Sequence, residues 1–174
     1  MRAFIAVEVS DGIIQRLGEV QGELPEGLRP VNPKNLHITL RFLGDITGSK
    51  AREGSEAISS IKFSPFHLAC RGLGVFPSEK SIRVLWAGIE SPGLLELCLK
   101  LEPRLTELGF EKERFTPHLT IARAKGKANV TEILAKYGGE FFGECAVNSF
   151  SLRKSTLTPD GPIYEDVRSV SVKV

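Results

Sequence analysis

The 174-residue sequence lacks a long apolar run, a set of paired cysteines and a large excess of charge of either sign. No stretch approaches the roughly 18 consecutive apolar residues of a membrane-spanning helix. The start, Met1 to Val7, is followed by the charge of Glu8 and has no small-residue cleavage pattern of a signal peptide. With 41% apolar and 25% charged residues, the chain is expected to form one globular domain over residues 1–174, located in the cytoplasm.

Cysteine is scarce, with only Cys70, Cys98 and Cys145, and no two of them form a C-x-x-C pair. This odd number at wide spacing favours small buried apolar side chains in a reducing compartment over a metal or redox role. Lys and Arg total 23 against 21 Asp and Glu, a formal net charge of +2. That balance permits an anionic ligand but lacks the basic excess of a protein that coats nucleic acid.

The pattern of apolar residues, glycine and proline predicts an α+β chain, because strands and helices are mixed without strict alternation. Strands are expected over residues 2–8, 36–42, 66–75, 82–89, 118–123, 145–157 and 163–172. Helices are expected over residues 10–23, 49–61, 92–108 and 129–137, the third kinked at Pro103. The prolines at 25, 30 and 33 predict a loop over residues 25–33.

Two segments share the pattern histidine, apolar, threonine, apolar: His37 to Leu40 and His118 to Ile121. They begin 81 residues apart, close to half the chain length, which is the outline of a duplicated domain with two pseudo-symmetric lobes. Alternate side chains of a strand share one face, so each histidine lies beside its threonine over a buried apolar back. If a pseudo-twofold axis relates the halves, both polar faces meet in one cleft.

Two imidazoles and two hydroxyls in one cleft suit phosphodiester chemistry. With an unperturbed pKa of about 6.5, one histidine can take a proton from the nucleophile while the other gives one to the departing oxygen. The hydroxyls of Thr39 and Thr120 can donate hydrogen bonds to the non-bridging phosphate oxygens. The residues do not decide which histidine has which role, because the motifs are nearly symmetric. No metal or other cofactor is required by this scheme.

Other polar residues are interpreted as structural. His67 lies in a strand-like segment where Ala69 stands in place of the motif's threonine, so we interpret it as a packing or surface residue. Arg41 has the parity of the polar face, but a solvated charge at the strand end is favoured over a phosphate contact. The same interpretation applies to the scattered basic residues Arg114, Arg153 and Lys154.

The chain resembles the 2H phosphoesterases, and within them the branch of RNA 2',3'-cyclic phosphodiesterases and 2'-5' RNA ligases. The resemblance lies in His37 to Gly44, with its Phe-Leu-Gly tail, and in Pro117 to Arg123. It extends to Arg2 to Val7 and to Leu157 to Tyr164, and so spans nearly the whole chain.

The resemblance implies a bilobal fold with an antiparallel sheet in each lobe, helices beside the sheets and the substrate phosphate in the central groove. It implies that an RNA 2',3'-cyclic phosphate is opened to a 2'-phosphate, with His37 as proton donor and His118 as the proton acceptor that activates water. Attack by an RNA 5'-hydroxyl would instead form a 2'-5' bond, although hydrolysis is expected to dominate. The resemblance also assigns Arg123 to phosphate binding, although strict strand parity from His118 points it away.

Candidate substrates are therefore RNA ends or nucleotides that carry a 2',3'-cyclic phosphate, including transfer-RNA halves, and nothing calls for more than a monomer. Two alternatives remain. A metal hydrolase is disfavoured because neither motif brings a carboxylate or cysteine at ligand spacing. A non-catalytic module that binds RNA ends would keep the same cleft, but it would not need two proton-transfer groups.

Overall fold

The computed structural model describes residues 1–172 as two antiparallel β-sheets with α-helices beside them. The first sheet has the strand order β3-β1-β8-β9, formed by β1 (Arg2–Val7), β3 (Ile38–Asp45), β8 (Ser149–Thr158) and β9 (Gly161–Ser171). The second has the order β2-β6-β5-β4-β7, formed by β2 (Leu28–Pro30), β4 (Phe66–Ser78), β5 (Ser81–Glu90), β6 (His118–Ala124) and β7 (Phe141–Val147). The predicted α+β class with two antiparallel sheets is confirmed.

The helices of the described chain are α1 (Asp11–Gln21), α2 (Gly48–Ser59), α3 (Pro92–Glu107) and α4 (Thr131–Tyr137). Serine side chains begin two of them: Ser10 Oγ accepts a hydrogen bond from Ile13 N, and Ser91 Oγ accepts one from Leu94 N. Pro103 lies inside α3 and does not end it. The buried leucines of α3 recur at helical spacing, at Leu94, Leu97, Leu101 and Leu105.

One apolar core joins the two sheets. It includes Ile5 and Phe150 of the first sheet, Leu85 and Leu119 of the second, and Leu17 of α1, each at most 2% exposed. Burial of a side chain of this size stabilises the fold by about 1.5–3 kcal/mol. The shared core therefore holds the two sheets, and the motifs they carry, in a fixed relation. No helix within residues 1–172 is long and apolar enough to cross a membrane.

Two predicted elements were wrong. The single strand predicted over residues 145–157 is two strands, because β7 ends at Val147 in the second sheet and β8 begins at Ser149 in the first. Val147 and Phe150 are both buried although they lie three residues apart, so one strand's alternation does not continue across Asn148. The loop predicted over residues 25–33 contains β2, an edge strand that tolerates its proline, and a 3₁₀ turn over Pro33–Asn35.

Candidate active site

The two histidine motifs lie where the sheets meet. His37 directly precedes β3, the edge strand of the first sheet, and His118 is the first residue of β6, which contacts β3 from the second sheet. Both motifs are therefore on the strands that face each other across the cleft.

Both imidazole rings are held by the same kind of hydrogen bond to the backbone. Nδ1 of His37 lies 2.6 Å from the carbonyl oxygen of Asn35, and Nδ1 of His118 lies 2.7 Å from that of Thr116. Because a carbonyl oxygen only accepts, each Nδ1 must carry the hydrogen and donate it. In the neutral ring Nε2 then carries no hydrogen and can accept a proton. Each motif therefore presents a basic nitrogen, and does so through a carbonyl two residues earlier in the chain.

The surroundings of His37 are largely apolar. Its ring stacks on Phe4 at a centroid distance of 4.9 Å and meets the edge of Tyr164 at 5.2 Å, while Nε2 lies 3.0 Å from Thr39 Oγ1. Burial lowers the pKa of His37 to about 4, against the opposing effect of the hydrogen bond to Asn35. The positive charges of Arg153 and Arg123 lower this pKa further. At neutral pH the free protein therefore holds His37 uncharged.

His118 has a more open position. Its ring meets one aromatic neighbour, the edge of Phe76 at a centroid distance of 5.1 Å. Within residues 1–172 its Nε2 makes no hydrogen bond, unlike Nε2 of His37. Thr120 lies two residues later on the same strand, and both residues line the space between the two motifs.

A β-bulge in β6 places Arg123 on the face of His118. Thr120 pairs with Trp86 and Ala122 pairs with Leu85, so Ile121 is an extra residue between them. The extra residue reverses the alternation of side chains, and Arg123 turns to the side that carries Thr120. The strand-parity objection to this arginine is thereby removed.

A second bulge, in β3, moves Arg41 off the polar face of its motif. Thr39 pairs with Ala6 and Arg41 pairs with Ile5, so Leu40 is the extra residue and Arg41 leaves the face of Thr39. Arg41 is only 7% exposed, and its Nη1 lies 2.7 Å from Oε2 of Glu102 on α3. The interpretation of Arg41 as a solvated strand-end charge was wrong, because the bulge buries the guanidinium in an ion pair.

A cavity of about 640 Å³, here called the first cavity, lies between the two motifs. All five residues singled out from the sequence line it: His37, Thr39, His118, Thr120 and Arg123. The volume is within the range of about 300–1,000 Å³ that small-molecule sites occupy. Among residues 1–172, no group of three or more His, Cys, Asp and Glu side chains is placed to hold a metal ion.

Two further residues of the first cavity, Arg29 and Tyr164, were missed by sequence reasoning. Arg29 lies directly opposite Arg123 across the β2–β6 pairing, and in the described part of the chain neither guanidinium has an ion-pair partner. Like charges in this position repel, so a bound anion would relieve the repulsion. No sequence pattern indicated Arg29, because the strand that carries it is only three residues long. Tyr164 is the last residue of a segment that resembles the 2H family, but the resemblance assigned no role to it.

The structure also places His67, the three cysteines and Arg153, which were interpreted from the sequence as residues outside the site. His67 is exposed on β4, which confirms it as a surface residue. Cys70 is buried as predicted, whereas Cys98 and Cys145 are half-buried. The interpretation of Arg153 as solvated surface was wrong: it is 8% exposed and ion-paired, 2.5 Å from Glu8 and 2.8 Å from Asp166. β8 is an inner strand of its sheet, so a long side chain on it is covered, and the two carboxylates offset the desolvation of the guanidinium.

Two histidine–threonine pairs that face one cavity, with guanidinium groups beside them, define a phosphoesterase of the two-histidine class. A family model described as LigT like Phosphoesterase matches residues 7–86 and 89–164 of the chain. The chain therefore belongs to the LigT-like phosphoesterases, a family of 2H phosphoesterases, and the resemblance seen in the sequence is confirmed.

Curated relatives match over nearly their full length. The chain is 42% identical over 173 residues to the RNA 2',3'-cyclic phosphodiesterase of Archaeoglobus fulgidus, with 97% of this chain and 98% of the relative covered. It is 36% identical over 173 residues to the protein of the same name from Methanocaldococcus jannaschii, with 97% and 99% covered.

Solved structures share the fold. The Thermus thermophilus protein TT0787 superposes with a TM-score of 0.85 at 32% identity, with 99% of this chain and 98% of that chain covered. LigT of E. coli, solved in complex with 3'-AMP, superposes with a TM-score of 0.82 at 27% identity and the same coverage.

Proposed function

We propose that the chain hydrolyses RNA 2',3'-cyclic phosphate ends to 2'-phosphate ends, by acid–base catalysis that uses His37 and His118 and no metal ion. The observation that carries this proposal is the shared Nδ1 anchor, which leaves two Nε2 atoms beside one cavity together with Arg29 and Arg123. The names of the relatives that match over their full length support the substrate class.

In the proposed reaction, Nε2 of His118 takes a proton from a water molecule as its oxygen attacks phosphorus. The bond from phosphorus to the 3' oxygen breaks, and His37 gives that oxygen a proton. The hydroxyls of Thr39 and Thr120 and the guanidinium of Arg123 hold the non-bridging oxygens, where negative charge must be stabilised during attack. The open surroundings of His118 suit the histidine that must meet water.

The donor role requires a protonated His37, whereas burial keeps this ring neutral in the free protein. A cyclic phosphate carries a negative charge, and its arrival beside Nε2 offsets the positive charges of Arg123 and Arg153. The pKa of His37 therefore rises in the complex. His37 takes its proton as substrate binds, and the carbonyl of Asn35 holds Nδ1–H in both states.

The substrate is proposed to be an RNA end, with transfer-RNA halves as one class, and the active unit a monomer. Nucleotide-sized ligands fit the volume of the first cavity, and E. coli LigT has been crystallised with 3'-AMP and with ATP. Attack by a 5'-hydroxyl in place of water would use the same acid and base to form a 2'-5' bond.

The proposal is tested by incubating the protein and EDTA with an oligonucleotide that ends in a 2',3'-cyclic phosphate, and identifying the product. We expect turnover to continue in EDTA and to yield a 2'-phosphate. Loss of turnover in EDTA would contradict the metal-free mechanism, and a 3'-phosphate product would contradict the role assignment. Binding of the oligonucleotide without turnover would instead favour a non-catalytic module.

A further inference from the structure

A second cavity of about 340 Å³ adjoins the first and shares part of its wall. The shared residues are Thr39, His118, Thr120 and Arg123. His37 lines only the first cavity. The two histidines therefore differ in access, since His118 borders both cavities and His37 borders one.

Displacement at phosphorus places the attacking oxygen opposite the departing one. In the proposed reaction the 3' oxygen departs toward His37, so the ribose of the cyclic phosphate lies in the first cavity. The nucleophile is activated by His118 and approaches from the side away from His37, and the second cavity is the space that His118 borders and His37 does not. Any nucleophile larger than water would therefore occupy the second cavity.

The second cavity has aromatic walls, from Phe42, Phe76 and Phe115. Phe42 is 45% exposed although it is a large apolar residue, and it follows the Leu40 bulge on the face that carries Thr39. In the other motif, the residue at the same distance from its bulge is Arg123. One motif thus presents a guanidinium to the cleft, and the other an aromatic ring on which a base can stack.

The carboxylates beside Arg41 make its part of the second cavity suit an uncharged terminus. The guanidinium of Arg41 is paired with Glu102 at 2.7 Å and with Glu113 at 3.3 Å, so it is not available to a phosphate. Of the other cations on this wall, Arg123 also lines the first cavity, and Arg114 is exposed. Glu102 Oε1 is buried and has no hydrogen-bond partner within residues 1–172. It offers an acceptor for a hydroxyl or amino group of a nucleoside.

We propose that the second cavity binds the 5'-hydroxyl nucleoside of a second RNA end as the acceptor for 2'-5' joining, an inference that rests on the proposed function. The acceptor O–H gives its proton to Nε2 of His118 as the bond from the 5' oxygen to phosphorus forms. The bond from phosphorus to the 3' oxygen breaks, and His37 protonates that oxygen. The product is a 2'-5' phosphodiester beside a free 3'-hydroxyl, and proton exchange with water resets both rings.

The test uses an RNA oligonucleotide that ends in a 2',3'-cyclic phosphate, with increasing concentrations of a second oligonucleotide that has a 5'-hydroxyl. Joined and hydrolysed products are quantified in the same reaction. We expect the joined product to saturate with acceptor, and Phe42→Ala to lower the ratio of joined to hydrolysed product roughly tenfold below saturation, because it removes a stacking surface. A general loss of activity lowers both products and leaves this ratio unchanged.

Phe141→Ala is the matched control. Phe141 is 43% exposed and has Arg71 over its ring at 5.1 Å, as Phe42 has Arg2 at 5.8 Å, but it lines neither cavity. We expect this variant to keep the ratio of the unaltered protein.

Three outcomes would overturn the acceptor site while hydrolysis stands: no joined product, joined product that rises without saturation, or a ratio that Phe42→Ala leaves unchanged. If the unaltered protein gives neither product, the proposed function and the acceptor site are overturned together.

Discussion

The segments His37–Phe42 and His118–Arg123 begin alike and end differently. Each anchors its histidine through a carbonyl two residues earlier, and each has one extra residue directly after the threonine, at Leu40 and at Ile121. Beyond the extra residue, the first segment turns a phenylalanine to the cleft and the second turns an arginine. The neighbours of the rings differ as well, since His37 is enclosed by Phe4 and Tyr164 and His118 is not.

The difference indicates that the motif supplies a basic nitrogen in both segments and that the surroundings give each nitrogen its task. An enclosed ring is screened from bulk water, which suits a donor that receives its proton only when substrate arrives. A ring that borders two cavities suits a base that must meet an incoming nucleophile. Exchanging or removing these surroundings one at a time tests whether they set the two roles.

The largest expected effect comes from removing each imidazole. His37→Ala and His118→Ala should each lower kcat by about 10²–10⁴-fold on a cyclic-phosphate oligonucleotide, because each removes one proton transfer. On a diester with a p-nitrophenolate leaving group, which departs without a proton, His37→Ala should recover most of its loss and His118→Ala should not. Rates measured on both substrates check this.

Equal losses for both variants on both substrates would show that the two histidines do not divide the roles as proposed. Recovery by His118→Ala in place of His37→Ala would reverse the assignment of acid and base. His67→Ala, which changes an exposed histidine outside the cleft, should match the unaltered protein on either substrate.

The next largest effect is on stability, and it should distinguish Arg41 from Arg123, the two arginines that the bulges reorient. Arg41→Ala should lower the free energy of unfolding by about 3 kcal/mol, because it leaves the carboxylate of Glu102 without its buried partner. Arg123→Ala, at an exposed position, should change this free energy by about 0.5 kcal/mol or less. Urea denaturation of both variants measures the difference. Equal stability would contradict the buried ion pair.

The enclosure of His37 should also be visible as a dependence of stability on pH. In the unfolded chain a histidine has a pKa of about 6.5, and in the folded chain that of His37 is about 4. At pH values between these two pKa values, His37 binds a proton in the unfolded state and not in the folded state. The free energy of unfolding therefore falls as pH falls. The loss should reach about 3 kcal/mol by pH 4, at about 1.4 kcal/mol per pH unit.

Two variants isolate this contribution from that of the carboxylates. His37→Asn should reduce the loss of stability between about pH 6.5 and 4. His118→Asn leaves the buried ring of His37 in place, so this variant should show the same loss as the unaltered protein. Denaturation of both variants across the pH range checks the prediction. A pH dependence that His37→Asn leaves intact would show that the ring is not enclosed in solution.

Much of this arrangement could be predicted from sequence, and the part that could not has a physical cause. Alternation along a strand was enough to place His37 beside Thr39 and His118 beside Thr120. It failed at Arg41, because an extra residue in a strand depends on the pairing with its neighbour and leaves no mark in composition. Arg29 was missed for a related reason, since a three-residue strand is formed by its partner β6 and not by its own pattern.

The smallest expected effect concerns this missed arginine, which gives the second motif a like-charged pair that the first motif lacks. Arg29→Ala should raise KM about fivefold and leave kcat within about twofold, because an exposed charge contributes about 1 kcal/mol to binding of an anion. It should also stabilise the fold by a few tenths of a kcal/mol, because Arg123 then loses a like charge opposite it. Arg71→Ala, at an exposed position outside both cavities, should leave KM unchanged. Steady-state kinetics at several salt concentrations separate the cases: a phosphate contact predicts that the gap between Arg29→Ala and the unaltered protein narrows as salt rises, and a constant gap would assign Arg29 to the strand pairing alone.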